Sequence, residues 1–179
     1  MKKIKITAIL LLALFAISSS FAQGFPEKEM KKKLKASKIE MDGGNGDGVF
    51  KAQSKKTKKW GIYQWMYEGT DVKEMIPMEY DKVDDFPFNG AFTTVYNDGK
   101  LGIYLCEWSY GDDAKQTVPC EYEKIKKYTV GADDYSAGQL YTAFMKDGKW
   151  GWVNWKTGEE KSEFIYDELD DLPYPKYEQ

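Results

Sequence analysis

The sequence contains no histidine, and all 26 of its basic residues are lysine, so it has no arginine either. Without imidazole there is no Ser-His or Cys-His pair and no histidine metal ligand. Without guanidinium there is no bidentate clamp for phosphate or carboxylate. Cysteine is scarce: Cys106 and Cys120 are the only two, enough for one bridge. After residue 22 there is no apolar run near the roughly 20 residues that a bilayer-crossing helix needs. What the 179-residue chain has in quantity is aromatic surface, with 13 Tyr, 9 Phe and 6 Trp, and charge, with 29 acids against its lysines for a net −3.

The first residues read as an address. Lys2, Lys3 and Lys5 precede a largely apolar stretch, Ile6 to Ile17, and Ser20-Phe21-Ala22 sets small residues three and one before a cut after Ala22. This is the layout of a secretory signal peptide over residues 1–22. The expectation is a mature chain from Gln23, exported to the periplasm or the exterior, with no membrane span once the signal is removed. Residues 23–59 hold 11 Lys against Glu27, Glu29, Glu40, Asp42 and Asp47, so a basic stretch precedes an acidic body. Residues 23–47 form an N-terminal arm. Met30 and Leu34 are spaced for a narrow helical stripe. A short helix and a solvated linker both fit, the linker being the plainer expectation. An exported protein with an acidic body is a poor nucleic-acid partner. Asp42-Gly43-Gly44-Asn45-Gly46-Asp47-Gly48 resembles a calcium loop but fails in register, since Ser54 falls where a bidentate Glu is required.

The body repeats itself. Lys59-Trp60-Gly61-Ile62-Tyr63 is followed by Pro77-Met78-Glu79-Tyr80-Asp81. Lys100-Leu101-Gly102-Ile103-Tyr104 is followed by Pro119-Cys120-Glu121-Tyr122-Glu123. Lys149-Trp150-Gly151-Trp152-Val153 is followed by Phe164-Ile165-Tyr166-Asp167. Self-similarity at a period of 40 to 50 residues marks a repeat architecture. Asp98-Gly99 and Asp147-Gly148 sit between strand-like runs and supply the positive φ angles of tight hairpin turns. A third strand follows each hairpin, and Pro77 and Pro119 suit a strand start or an edge. The predicted fold is all-β: tandem hairpin or three-stranded repeats stacked in one domain, at about 48–88, 89–130 and 131–172, with a tail at 173–179. One such unit cannot bury its own face, so neighbours bury it jointly.

These residues resemble the WG-repeat (KWG) family of bacterial exported proteins over roughly residues 48–172. The likeness rests on the Lys-Trp-Gly-Ile core, the Asp-Gly-Lys lead-in and the later Pro-x-x-Tyr-Asp. Leu101 replaces Trp in the second unit, Glu163 replaces Pro in the third, and the first lacks Asp-Gly. The resemblance implies β-rich repeats and no established catalytic activity, so it carries over a fold and no site residues.

Three constellations remain. The acid pairs Asp84-Asp85 and Asp170-Asp171 recur at one repeat position, and neighbours on a strand point to opposite faces. They read as solvated turn charges, as do Asp112-Asp113 and Asp133-Asp134. Cys106 and Cys120 flank a turn near Gly111. A bridge closing about 15 residues and contributing about 3 kcal/mol and a pair of buried free thiols fit equally. The aromatics are the functional lead. Alternation places Trp60, Ile62, Leu101, Ile103, Leu105, Trp150 and Trp152 on one face, a core face. The opposite face carries Tyr63 and Trp65, Tyr104 and Trp108, and Trp155. It is either covered by other strands, the better-supported expectation, or part of it is an exposed platform for a sugar ring or a protein.

The function expected is a non-catalytic binding or scaffold module of the bacterial envelope, recognising a protein or glycan. Trp65, Trp108, Trp155, Tyr63 and Tyr104 are the candidate binding residues, with no catalytic residue, metal or cofactor. The alternative is a carboxylate-dependent hydrolase of an envelope polysaccharide, which needs two acids about 5–10 Å apart and one of them with a raised pKa.

Overall fold

The structure, a computed structural model, describes residues 24–41, 48–66, 69–85, 92–105, 114–126 and 141–173. Among the described residues one helix, α1 (Glu27–Lys33), precedes β1 (Ala36–Met41), β2 (Val49–Ser54), β3 (Trp60–Trp65), β4 (Val72–Tyr80), β5 (Lys82–Val83), β6 (Phe92–Asn97), β7 (Lys100–Leu105), β8 (Lys115–Tyr122), β9 (Lys124–Lys126), β10 (Tyr141–Lys146) and β11 (Lys149–Asn154). A 3₁₀ turn, Leu169–Asp171, follows. The strands form three antiparallel sheets, ordered β1-β2-β3-β4, β5-β6-β7-β8 and β9-β10-β11. The third sheet is extended by bridges Val153 to Glu160 and Trp150 to Tyr166. The protein is thus all-β, in stacked hairpin-based repeats. Among the described residues no helix is long and apolar enough to cross a membrane.

Local chemistry sets the hairpins. Asp98 and Gly99 have φ of 50° and 77°, and Asp147 and Gly148 have 52° and 75°. Two successive positive φ angles make the turn whose twist matches paired strands. The first hairpin uses a longer loop, with Lys58 at φ 62° and the Ser54 N–H donating to the Lys59 carbonyl at 2.8 Å.

The sheets are offset from the sequence units. β4 ends at Tyr80, the chain bends at Asp81, and β5 then pairs with β6 of the next sheet. β8, Glu123 and β9 repeat this step into the third sheet. Each unit therefore donates its tail strand to its successor, and the sheets span residues 36–80, 82–122 and 124–166. β1 fills the donor position of the first sheet. Its Lys38-Ile39-Glu40 stand opposite Gln53, Ala52 and Lys51, much as Lys82 and Val83 stand opposite Tyr96 and Val95. Lys124-Ile125 stand likewise opposite Met145 and Phe144.

Stacking fills two inner layers. Val49, Ile62, Ile76 and Tyr80 meet Val83, Val95 and Tyr104. Leu101, Ile103, Val118 and Tyr122 meet Phe144, Val153 and Trp155. The two outer faces are closed by the chain ends. Phe25 and Leu34 pack on Phe50, Ala52 and Tyr63, and Met30 of α1 is fully buried. At the other end Leu169 and Leu172 pack on Ala143 and Trp152. The described part of the arm is therefore not a solvated linker: an array of apolar faces needs a lid at each end, residues 25–34 supply one, and Ala36–Met41 joins the first sheet as β1.

Candidate functional site

The Trp-Gly strand organises each unit. A methyl group on Gly61 would lie 2.4 Å from the Ile76 carbonyl oxygen, and one on Gly102 would lie 2.5 Å from the Val118 carbonyl oxygen. At these points the Ile76-Pro77-Met78 and Val118-Pro119-Cys120 backbones press onto the hairpin, and pairing shifts register on both sides of Ile62 and of Ile103. In the third unit the Phe164 ring takes that place over Gly151. Only glycine lets a neighbouring backbone approach so closely.

Charge then ties each unit together. The lysine before the Trp-Gly position reaches the acid after the repeat tyrosine: Lys59 to Asp81 at 2.7 Å, Lys100 to Glu123 at 2.9 Å, and Lys149 to Asp167. The same acid also receives the turn of the next hairpin, through the Asp98 N–H on Asp81 at 2.8 Å and the Gly148 N–H on Glu123 at 3.2 Å. The Lys59 ammonium and the Asp98 N–H hold Asp81 below the usual carboxylate range, and Lys100 and the Gly148 N–H do the same for Glu123.

A second set of polar contacts runs beneath the third strands. Tyr63 donates to Glu74 at 2.8 Å. Tyr80 Oη lies 3.0 Å from Tyr104 Oη and 3.4 Å from Gln116 Oε1. Tyr122 donates to Glu160 at 3.0 Å, and Lys146 reaches the same carboxylate at 2.9 Å. Glu74, Gln116 and Glu160 occupy equivalent places. Burial first, then the partnering oxygen, pushes Tyr63, Tyr80 and Tyr122 well above the usual phenol range. Lys146 holds Glu160 low.

Three of the predicted binding aromatics belong to the core and form no exposed platform. Tyr63, Tyr104 and Trp155 are 3%, 8% and 5% exposed. Tyr63 stacks on Phe50, Tyr104 meets Tyr80 edge-on, and Trp155 lies 5.2 Å from Phe92, centroid to centroid. The reason is directional stacking: the glycine face of every sheet lies against the layer before it. Trp65 is half-buried against Phe25 at 5.7 Å, and its Nε1 donates to the Gly69 carbonyl at 3.1 Å. Trp108 and Cys106 lie outside the described residues. Cys120 is a half-buried free thiol 3.8 Å from the Val95 carbonyl oxygen, and burial raises its pKa. Asp84 and Asp85 are paired with Lys82 and Lys51, and Asp170 and Asp171 are exposed in the 3₁₀ turn. Asp112-Asp113 and Asp133-Asp134 fall outside the described residues.

What the units do present outward is a row. Tyr80, Tyr122 and Tyr166 pair with Trp60, Leu101 and Trp150, the residues before the three glycines. The preceding residues, Glu79, Glu121 and Ile165, are therefore equivalent, and all are exposed, Ile165 at 56%. Alternation along the strand gave the means to find them, since they flank the repeat tyrosines, of which Tyr80 and Tyr122 are buried and Tyr166 is half-buried. Compared with protein-family models, curated proteins and solved structures, the chain matches none.

Proposed function

We propose that the protein is an exported, non-catalytic binding or scaffold module of the bacterial envelope or exterior, built from WG-type repeats, which recognises a protein or glycan along the row Glu79, Glu121 and Ile165. The observation that carries this reading is the equivalence of those exposed positions across three sheets held in one register. Stacked repeats offer partners a surface of repeated positions rather than a cleft. Two acids and an exposed aliphatic side chain at equivalent positions suit a partner that presents amino groups and an apolar group.

The state of the acids supports a binding module over a carboxylate-dependent hydrolase. A general acid at neutral pH needs a raised pKa. Glu40, Asp81, Glu123 and Glu160 are displaced the other way, below the usual carboxylate range. Each is held by a lysine as part of the fold.

The test is binding of purified protein to envelope glycans on an array and to envelope proteins after crosslinking. Loss of a saturable ligand in the triple variant Glu79→Lys, Glu121→Lys, Ile165→Asp, with folding intact, is the expected result. Release of new reducing ends from envelope polysaccharide would instead establish the hydrolase. Export is checked by the mass of the protein recovered outside the cytoplasm, which should begin at Gln23.

A further inference from the structure

We propose that the outer edge of β1 is a self-association surface, pairing antiparallel about Ile39 with β1 of a second copy to join two first sheets across a two-fold axis. This inference stands apart from the row of exposed third-strand residues and from the family reading. β1 ends its sheet, and among the described residues nothing pairs with its far side. An open edge is a template for another strand unless something guards it.

The other edges are guarded. β4 and β8 carry Pro77 and Pro119, which donate no ladder bond. β11 is bridged by Glu160 and Tyr166. β5 has two residues, and β9 reads Lys124-Ile125-Lys126, which would set like charge against like on self-pairing. β1 has six residues and no proline.

Its backbone and its charges fit a copy of itself. The Ser54 N–H points toward β3, donating to the Lys59 carbonyl. Antiparallel alternation then turns Lys51 and Gln53 toward β1, and their partners Glu40 and Lys38 toward β2. That leaves the N–H and C=O of Ile39 directed outward, free to exchange both hydrogen bonds with Ile39 of a second copy. In this register Lys38 stands opposite Glu40 of the second copy, and Glu40 opposite its Lys38. The two side chains are 57% and 36% exposed and already pair along their own strand. Lys51 also lies 3.7 Å from Glu40. The register shift between Ala36 and Lys38 confines the regular pairing to Lys38, Ile39 and Glu40, with Met41, 49% exposed, at its end. Such an isologous contact is self-complementary by construction. It is small, so the dimer is weak and dependent on concentration.

Sedimentation equilibrium on the purified protein tests it. The expected result is a reversible monomer–dimer equilibrium in which Lys38→Glu or Glu40→Lys raises the dissociation constant roughly ten-fold or more. The double variant Lys38→Glu/Glu40→Lys restores self-association, and an equimolar mixture of the two single variants forms a heterodimer. Without any substitution, hydrogen exchange at the Ile39 amide slows as protein concentration rises. A protein that stays monomeric at every concentration overturns the proposal. So does a dimer indifferent to both reversals, or a folded double variant that fails to associate.

Discussion

At the scale of single residues, the chain places its smallest side chains where backbones collide. Gly61 and Gly102 carry strands across their faces with carbonyl oxygens 2.4 and 2.5 Å from where a Cβ would be. Those atoms belong to backbone and cannot swing aside. Gly102→Ala is therefore expected to cost about 2–4 kcal/mol. Gly99, at φ 77° with open space around it, should lose only about 1 kcal/mol on the same change, from its left-handed backbone. Urea unfolding midpoints of the two variants check the order. The opposite sign is expected at Thr94, a fully buried residue whose hydroxyl has no hydrogen-bond partner. Thr94→Val keeps the shape and removes the unsatisfied group, so it should raise stability by about 0.5–1 kcal/mol in the same assay. The glycines were visible in the sequence as repeat marks, but the reason for them was not, because the strand that presses on Gly102 lies 16 residues further on. The clip from Lys59 to Asp81 was equally hidden: both residues belong to the repeat pattern, yet nothing in one dimension says that they touch.

At the scale of elements, hairpins and third strands were legible because they depend on neighbours in sequence. Asp-Gly dictates a tight turn wherever it stands between strands. The arm was not legible. Glu27 to Lys33 is dominated by charge, and its stripe is a single buried methionine with flanking Phe25 and Leu34. Only the apolar outer face of the first sheet turns this segment into a lid. Met30→Ala should cost about 2–4 kcal/mol, read from thermal or urea unfolding, and should raise binding of an apolar dye as the Phe50–Tyr63 face is uncovered. The tail strands were readable in hindsight through Lys38-Ile39-Glu40, Lys82-Val83-Asp84 and Lys124-Ile125-Lys126, a short pattern that continues the repeat into the arm.

At the scale of the whole molecule, the array has a direction: each sheet turns its glycine face to the layer before it and hands its tail to the layer after. Charge and hydroxyl contacts at those junctions set the response to pH. Asp81, Glu123, Glu160 and Glu40 have pKa values below the ordinary carboxylate values in the folded state. The unfolded chain binds more protons there, so their stabilisation is present above about pH 4.5 and fades as pH falls through the folded values. Tyr63, Tyr80 and Tyr122 are raised above the ordinary value of 10. Their contribution is full below about pH 10 and is lost as pH climbs toward the folded values. Stability should therefore be flat through neutrality and fall on both limbs. The alkaline limb should coincide with a cooperative step in phenolate absorbance as Tyr63, Tyr80 and Tyr122 are released together on unfolding. Ionisation of all 13 tyrosines in a protein still folded would overturn this expectation.

The candidate binding surface divides along the same line as the fold. Period, turn chemistry and apolar alternation settled by themselves that the chain is a β repeat whose units must stack, because these signals act over a few residues. Which aromatics would be core and which faces would meet solvent was decided only by stacking. Tyr63, Tyr104 and Trp155 alternate along their strands as surface residues would, but a sheet inside a stack has no outer face. Exposure passed instead to the third-strand positions Glu79, Glu121 and Ile165 and to the edge of β1. A strand's own pattern fixes which residues share a side, while its neighbours fix whether that side is wet.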